Sequence, residues 1–320
     1  MIAGLGVLAM LPERSLGDWG LLSVLVTFWG SAFFMIAIAV DTIPPFTISA
    51  VRLSLASLVL LGAMKIAGES LPPLFLRQTP GRPLNPVWFS LAGIGLIGNA
   101  FPFLLLAWSQ TRLPSGIASI YLSFSPLTTL VLAHFFIREE RMTRLSVSGF
   151  GLGFLGICLL AGPGAWSGLF VSDGALIYQI AVLSAAVCMG LSNIIAKRMK
   201  PVAPLGAATG LSLVAASITM PFAFIVDRPW ALTPSAYSLT MVLLLGLLPT
   251  GLANVIFFVL IRRTGAVFLA LVNYLTVPWA ILMGIVLLGE RPGWNALLAV
   301  VLILSGVAIS QTPARRAARG

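Results

Sequence analysis

Apolar residues run along this chain in long blocks without polar faces. The segment from Leu113 to Ile137 contains no Asp, Glu, Lys or Arg. At 1.5 Å per residue it exceeds the roughly 30 Å hydrocarbon core of a bilayer. Ten such blocks can be drawn: Trp19–Val40, Phe46–Ala67, Val87–Trp108, Leu113–Ile137, Leu145–Leu160, Ala175–Ala196, Leu205–Val226, Tyr237–Ile261, Thr264–Leu288 and Trp294–Ser310. The fifth is short and rich in Gly, and only Arg262 and Arg263 separate the eighth from the ninth. In lipid every backbone polar group must be satisfied within its own segment, so blocks of this length read as helices. The pattern predicts an all-α polytopic membrane protein.

Composition agrees. Hydrophobic residues make up 59% of the 320 residues and charged residues 9%, against about 25% charged in a soluble domain. The net charge of +10 does not point to nucleic acid, because the basic residues lie in short loops between blocks, where they set orientation. With the N-terminus cytoplasmic, fifteen of the nineteen Lys and Arg fall on the inner side; Arg112, Arg228 and Arg291 fall outside and Arg52 within a span. Both termini are therefore expected inside. Cys158 and Cys188 lie in apolar blocks as buried thiols, without metal or disulfide spacing. No phosphate-cradling Gly-rich loop with a Lys occurs, so neither a cofactor nor ATP-driven pumping is expected.

The chain also repeats. Gly95-Leu96 matches Gly246-Leu247, Pro126 matches Pro278, Glu140-Arg141 matches Glu290-Arg291, and Leu155-Gly156 roughly matches Ser305-Gly306. Five spans is an odd number, so the second half enters the membrane in the opposite sense. Inverted repeats with a site at their interface are a transporter arrangement. The expected organisation is a leader at 1–18, a first five-helix repeat at 19–162, an outer linker at 163–174, a second repeat at 175–310 and a basic tail at 311–320.

These features resemble the drug/metabolite transporter superfamily, and within it the ten-span EamA-type family. The matching residues are Trp29-Gly30, Pro45 followed by Arg52, Ala107-Trp108, Ala118, Tyr121, Pro126 and Glu140 in the first half. In the second half they are Ala270, Tyr274, Pro278 and Gly289-Glu290. Arg138-Glu139 departs from the pattern, in which Gly more often precedes the Glu. The resemblance implies a secondary transporter of the bacterial inner membrane rather than an enzyme. Within the family the chain is most similar to exporters of aromatic amino acids and paraquat. The expected partners are a small amphipathic metabolite such as an amino acid and the bilayer, and the Gly-rich fifth span offers a candidate face for a second copy of the chain. The alternatives are an importer or exchanger of sugars, nucleotides or other metabolites, or a membrane scaffold without transport.

Arg52 is the one formal charge well inside a span. It has two readings: attraction of a substrate carboxylate or gating against Asp41, and a structural Arg that snorkels or bonds helix-end carbonyls. His134 can carry a proton or sit at the interface. Asn99, Trp108, Gln110, Tyr121, Ser125, Asn254, Asn273, Tyr274 and Trp279 are candidates to line a pathway, set against inter-helix hydrogen bonding and interface anchoring. Tyr121 and Tyr274 lead because the repeat places them comparably in both halves, each a helical turn or more before a mid-span proline. Pro126 and Pro278 are hinge candidates, since each removes a backbone hydrogen bond.

Overall fold

A computed structural model describes residues 15–75, 84–137, 142–168, 175–269 and 271–310. The first fourteen leader residues, Arg138 to Arg141 with both Glu139 and Glu140, linker residues 169–174, Ala270 and the basic tail lie outside the described residues.

The described residues fold as ten apolar helices, all-α and polytopic. We number them α1 (Leu16–Ala39), α2 (Pro45–Ile66), α3 (Val87–Ser109), α4 (Ser115–Phe136), α5 (Arg144–Gly168), α6 (Ala175–Arg198), α7 (Pro204–Asp227), α8 (beginning at Ala236), α9 (Leu271–Leu288) and α10 (Trp294–Ser310). Eight are long and apolar enough to cross a membrane; the apolar stretches Arg144–Leu160 and Trp294–Ser310 are shorter. Large hydrophobics such as Leu58, Phe89 and Val286 are more than half exposed, the surface that lipid covers. Alternation of direction puts the α1–α2, α3–α4, α7–α8 and α9–α10 turns at one end, here the Asp41 face. The C-terminal ends of α2, α4, α6 and α8 lie at the Glu69 face.

The eighth and ninth spans divide later than the loop charges predict. The helix continues through Arg262-Arg263 and ends at Leu269, because nothing in that stretch breaks it. The fourth span is divided into Ser115–Leu122 and Ser125–Phe136. Pro126 lacks an N–H and its ring clashes with the carbonyl of Leu122, four residues back, so the first piece ends there. Pro278 lies within a continuous helix, bounding its effect to a bend.

Among the described residues three segments are wound as π-helix: Ile94–Ala100 in α3, Ala223–Asp227 at the end of α7 and Gly246–Leu252 in α8. The first and the last hold the two copies of the Gly-Leu motif. A Cβ on Gly95 would lie 2.6 Å from the Leu211 carbonyl of α7, and one on Gly246 would lie 2.8 Å from Leu55 of α2. Each glycine thus seats a wide turn of one half directly on a helix of the other half, α3 on α7 and α8 on α2.

The Gly-rich fifth span packs on α10. A Cβ on Gly149 would meet the Gly306 carbonyl at 2.5 Å, and one on Gly306 would meet the Gly153 amide at 2.7 Å. Gly156 likewise faces Ile303 and Ala299. The small-residue face read as a possible dimer surface is occupied within the chain; Gly151 alone looks onto open space.

Candidate functional site

Three carboxylates join the halves at the ends of the spans. Gly68 and Gly289 adopt left-handed conformations, φ +68° and +67°, which terminate α2 and α9 and favour glycine because no Cβ clashes. In both cases the next residue is a Glu that reaches the N-terminus of a helix in the other half. Glu290 accepts the Ser115 and Gly116 amides of α4 at 2.5 and 3.0 Å. Glu69 accepts the Leu205 and Gly206 amides of α7 at 2.8 and 3.3 Å, and pairs with Arg262 of α8 at 2.6 Å. At the end of α7, Asp227 accepts the Thr47 amide and hydroxyl of α2 at 2.7 and 2.9 Å. Helix N-termini carry unpaired N–H groups and a positive dipole end, so a carboxylate is the fitting cap. Burial pushes the Glu69 carboxyl up, but the hydrogen bonds from Arg262, Gly206 and Leu205 outweigh it and hold the group below its ordinary value.

Two of these caps lie at the Asp41 face, where the helices they join are the more buried. In α4, Ser115 to Tyr121 are buried apart from Ile117, whereas the half beyond Leu122 is mostly half-buried to exposed. Along α1, Gly30 to Ala39 are nearly all buried, and the half nearer the Glu69 face alternates with exposed positions. Asn273 is exposed, yet stands about 200° around the helix from the lipid-facing Leu275 at 100° per residue. Asn193 is exposed on the side of α6 away from Ile177 and Ile180, and donates to Thr129 of α4 at 3.1 Å. Near the Glu69 face, Asn193 and Asn273 are thus exposed polar groups on the sides of α6 and α9 away from their lipid-facing residues.

Arg52 lies deeper, on α2, and is 6% exposed. Its Nε donates to Thr250 Oγ1 at 2.7 Å, and its guanidinium carbon lies 3.7 Å from the centre of the Phe103 ring. Thr250 is oriented by its own bond, its hydroxyl donating to the Leu245 carbonyl five residues back at 2.8 Å; the π turn makes that reach possible. Asn254 donates to the Thr250 carbonyl at 2.6 Å. Asn99 lies one helical turn from Phe103 on α3, half-buried and without a hydrogen-bond partner among the described residues. Arg52 thus meets Thr250 of the other half and Phe103 of α3, with Asn254 bonded to Thr250 and Asn99 one turn from Phe103.

The other sequence candidates lie elsewhere. Trp279 donates to Ser31 Oγ at 3.2 Å and fills the notch at Gly30, joining α1 to α9. Trp108 packs on Tyr178 with ring centres 4.8 Å apart. Gln110, at the end of α3, is 5% exposed with neither amide atom partnered among the described residues. Tyr121 is 2% exposed with its hydroxyl unpartnered, and Tyr274 is half-buried against the same apolar cluster. They are not equivalent positions: Tyr121 stands five residues before its proline and Tyr274 four, a rotation of about 100°. Ser125 opens the second piece of α4, its carbonyl accepting from Thr128 and Thr129. His134 Nδ1 accepts the Met142 amide at 3.1 Å, tying the end of α4 to the start of α5.

Thr250 and Phe103 went unread in the sequence. A signal was present: Thr250 follows Gly246 by the four residues that separate Asn99 from Gly95, so the two are repeat equivalents.

The described residues form an all-helical bundle in which eight helices are long and apolar enough to cross a membrane. The EamA-like transporter family profile matches residues 18–162 and 176–312, and the chain belongs to that family. Among its relatives, the "Uncharacterized inner membrane transporter YedA" of Escherichia coli strain K12 is 29% identical over 90% of each chain. The "Probable terminal-alkyne amino-acid exporter" of Streptantibioticus cattleyicolor is 28% identical over 90% of this chain and 91% of its own. A crystal structure 20% identical in sequence superposes with a TM-score of 0.64, over 95% of this chain and all of the other, a likeness of fold.

Proposed function

We propose that this protein is a secondary transporter that exports amino acids or related small amphipathic metabolites across the bacterial inner membrane by alternating access. The observation that carries the reading is the asymmetry of closure. The interior is capped shut by Asp227 and Glu290 at the Asp41 face and lined by exposed Asn193 and Asn273 toward the Glu69 face. If both termini are cytoplasmic, as the loop charges predict, the open end faces the cytoplasm and accepts solute for export. The amino-acid assignment draws support from the exporter relative.

The test is counterflow in proteoliposomes with a panel of amino acids, sugars and nucleotides, with and without a pH gradient. Accumulation of labelled amino acid against a preloaded unlabelled pool is the expected result. Counterflow confined to sugars or nucleotides, or none with any solute, would overturn the reading.

A further inference from the structure

Arg52 has no carboxylate within ion-pair distance among the described residues, and no backbone carbonyl accepts from it. Asp41 is not its partner, and Asp227 is occupied by Thr47. Of the guanidinium donors only Nε is engaged, and Phe103 holds the cation by its ring face without neutralising it. The two terminal amino groups are therefore free to hold a ligand. Three residues earlier on the same side of α2, Ser49 is 1% exposed with its hydroxyl unpartnered among the described residues. Asn99 lies one turn from Phe103, equally unpartnered. A charge kept this far from water is costly unless an anion joins it.

We propose that Arg52, with Ser49 and Asn99 beside it, binds the carboxylate of the transported solute. Thr250 is a positioning residue. Its hydroxyl proton is committed to the Leu245 carbonyl, so its lone pair receives Arg52 Nε and turns the terminal fork away from α8. A planar carboxylate accepts two parallel N–H bonds from such a fork. Because Thr250 sits in the π turn at the junction of the halves, carboxylate binding bears on the seam along which they move. The inference rests on the transport reading above but deepens it to a substrate class, a monocarboxylate.

The experiment uses the purified full chain in lipid nanodiscs and measures binding of phenylalanine against phenylalaninamide, benzoate against benzamide, and inorganic phosphate. For wild type we expect each carboxylate to bind at least about tenfold more tightly than its amide, the factor that 1.4 kcal/mol supplies. Arg52→Gln is expected to abolish that preference while leaving amide binding unchanged. Arg52→Lys is expected to restore little of it, a point charge being no substitute for the fork. Thr250→Val, which keeps the charge, is expected to reduce it severalfold. Equal binding of acid and amide by wild type overturns the proposal, as does a preference that survives in Arg52→Gln or is untouched in Thr250→Val. Tighter binding of phosphate than of either carboxylate assigns the site to phosphorylated solutes and also overturns it. Counterflow of amino acids and of their amides alike leaves the transport reading standing and removes only this inference. Carboxylate binding without any counterflow does the reverse.

Discussion

Removing the Glu290 carboxylate tests whether the caps hold one end of the molecule shut. The side chain satisfies two orphan amides of α4, Ser115 at 2.5 Å and Gly116 at 3.0 Å. Loss of an N-terminal cap costs about 0.5–2 kcal/mol, and the charge at a helix N-terminus adds about 0.3–1 kcal/mol. Glu290→Ala should therefore forfeit about 2 kcal/mol and Glu290→Gln, which keeps a neutral acceptor, about 1 kcal/mol. If the bonds exist only when the Asp41 face is closed, these losses fall on the closed state alone. At 1.4 kcal/mol per decade they shift the equilibrium about thirtyfold and about fivefold toward the state open at that face. Ile120, 0% exposed, lines the cleft beneath Glu290 together with Ile281. In a background with Cys158 and Cys188 changed to Ser, Ile120→Cys should react with a membrane-impermeant maleimide added at the Asp41 face. The rate should rise in the order parent, Glu290→Gln, Glu290→Ala, while thermal stability falls only slightly. Equal labelling in all three, with the fold intact, would refute the view that Glu290 is a latch.

Two further outcomes follow from the same geometry. The Glu69 carboxyl is held below its ordinary value, so its contribution to stability is fully present above the unfolded carboxylate pKa and is lost as pH falls through the lower folded value. Thermal stability in detergent should accordingly drop on acidification below about pH 4.5, and Glu69→Gln should show less of that drop. At the α5–α10 seam, Gly306→Val should cost at least about 1–3 kcal/mol by overpacking, because its Cβ meets backbone on α5. Gly151→Ala, with nothing within 4 Å, should be neutral in the same melting assay.

Much of the architecture was readable from one chain. Hydrophobic blocks depend on local composition, and lipid forces each into a helix, so ten spans and their alternation followed without tertiary information. The duplicated Gly-Leu and proline positions pointed to the two halves. The break in α4 was written in Pro126, whereas the identical residue at 278 left α9 continuous, because the cost of a proline depends on what re-satisfies the freed carbonyl. The division between the eighth and ninth spans was placed too early, since two arginines leave the backbone hydrogen bonds of a helix intact.

The site was only partly legible. Arg52, Asn99 and Asn254 stood out as polar residues in apolar blocks. That Arg52 meets Thr250 and Phe103, while Trp279 bonds Ser31 and Trp108 packs on Tyr178, depends on how the spans cross. The sequence by itself determined the spans, the duplication and the cost of a buried guanidinium, because each follows from residue type against a bilayer. Only the tertiary structure decided that Glu69, Asp227 and Glu290 cap helices in the other half, and that Thr250 holds Arg52. Contacts between residues 136 to 198 positions apart in the chain are set by packing of the two halves, which no local pattern encodes.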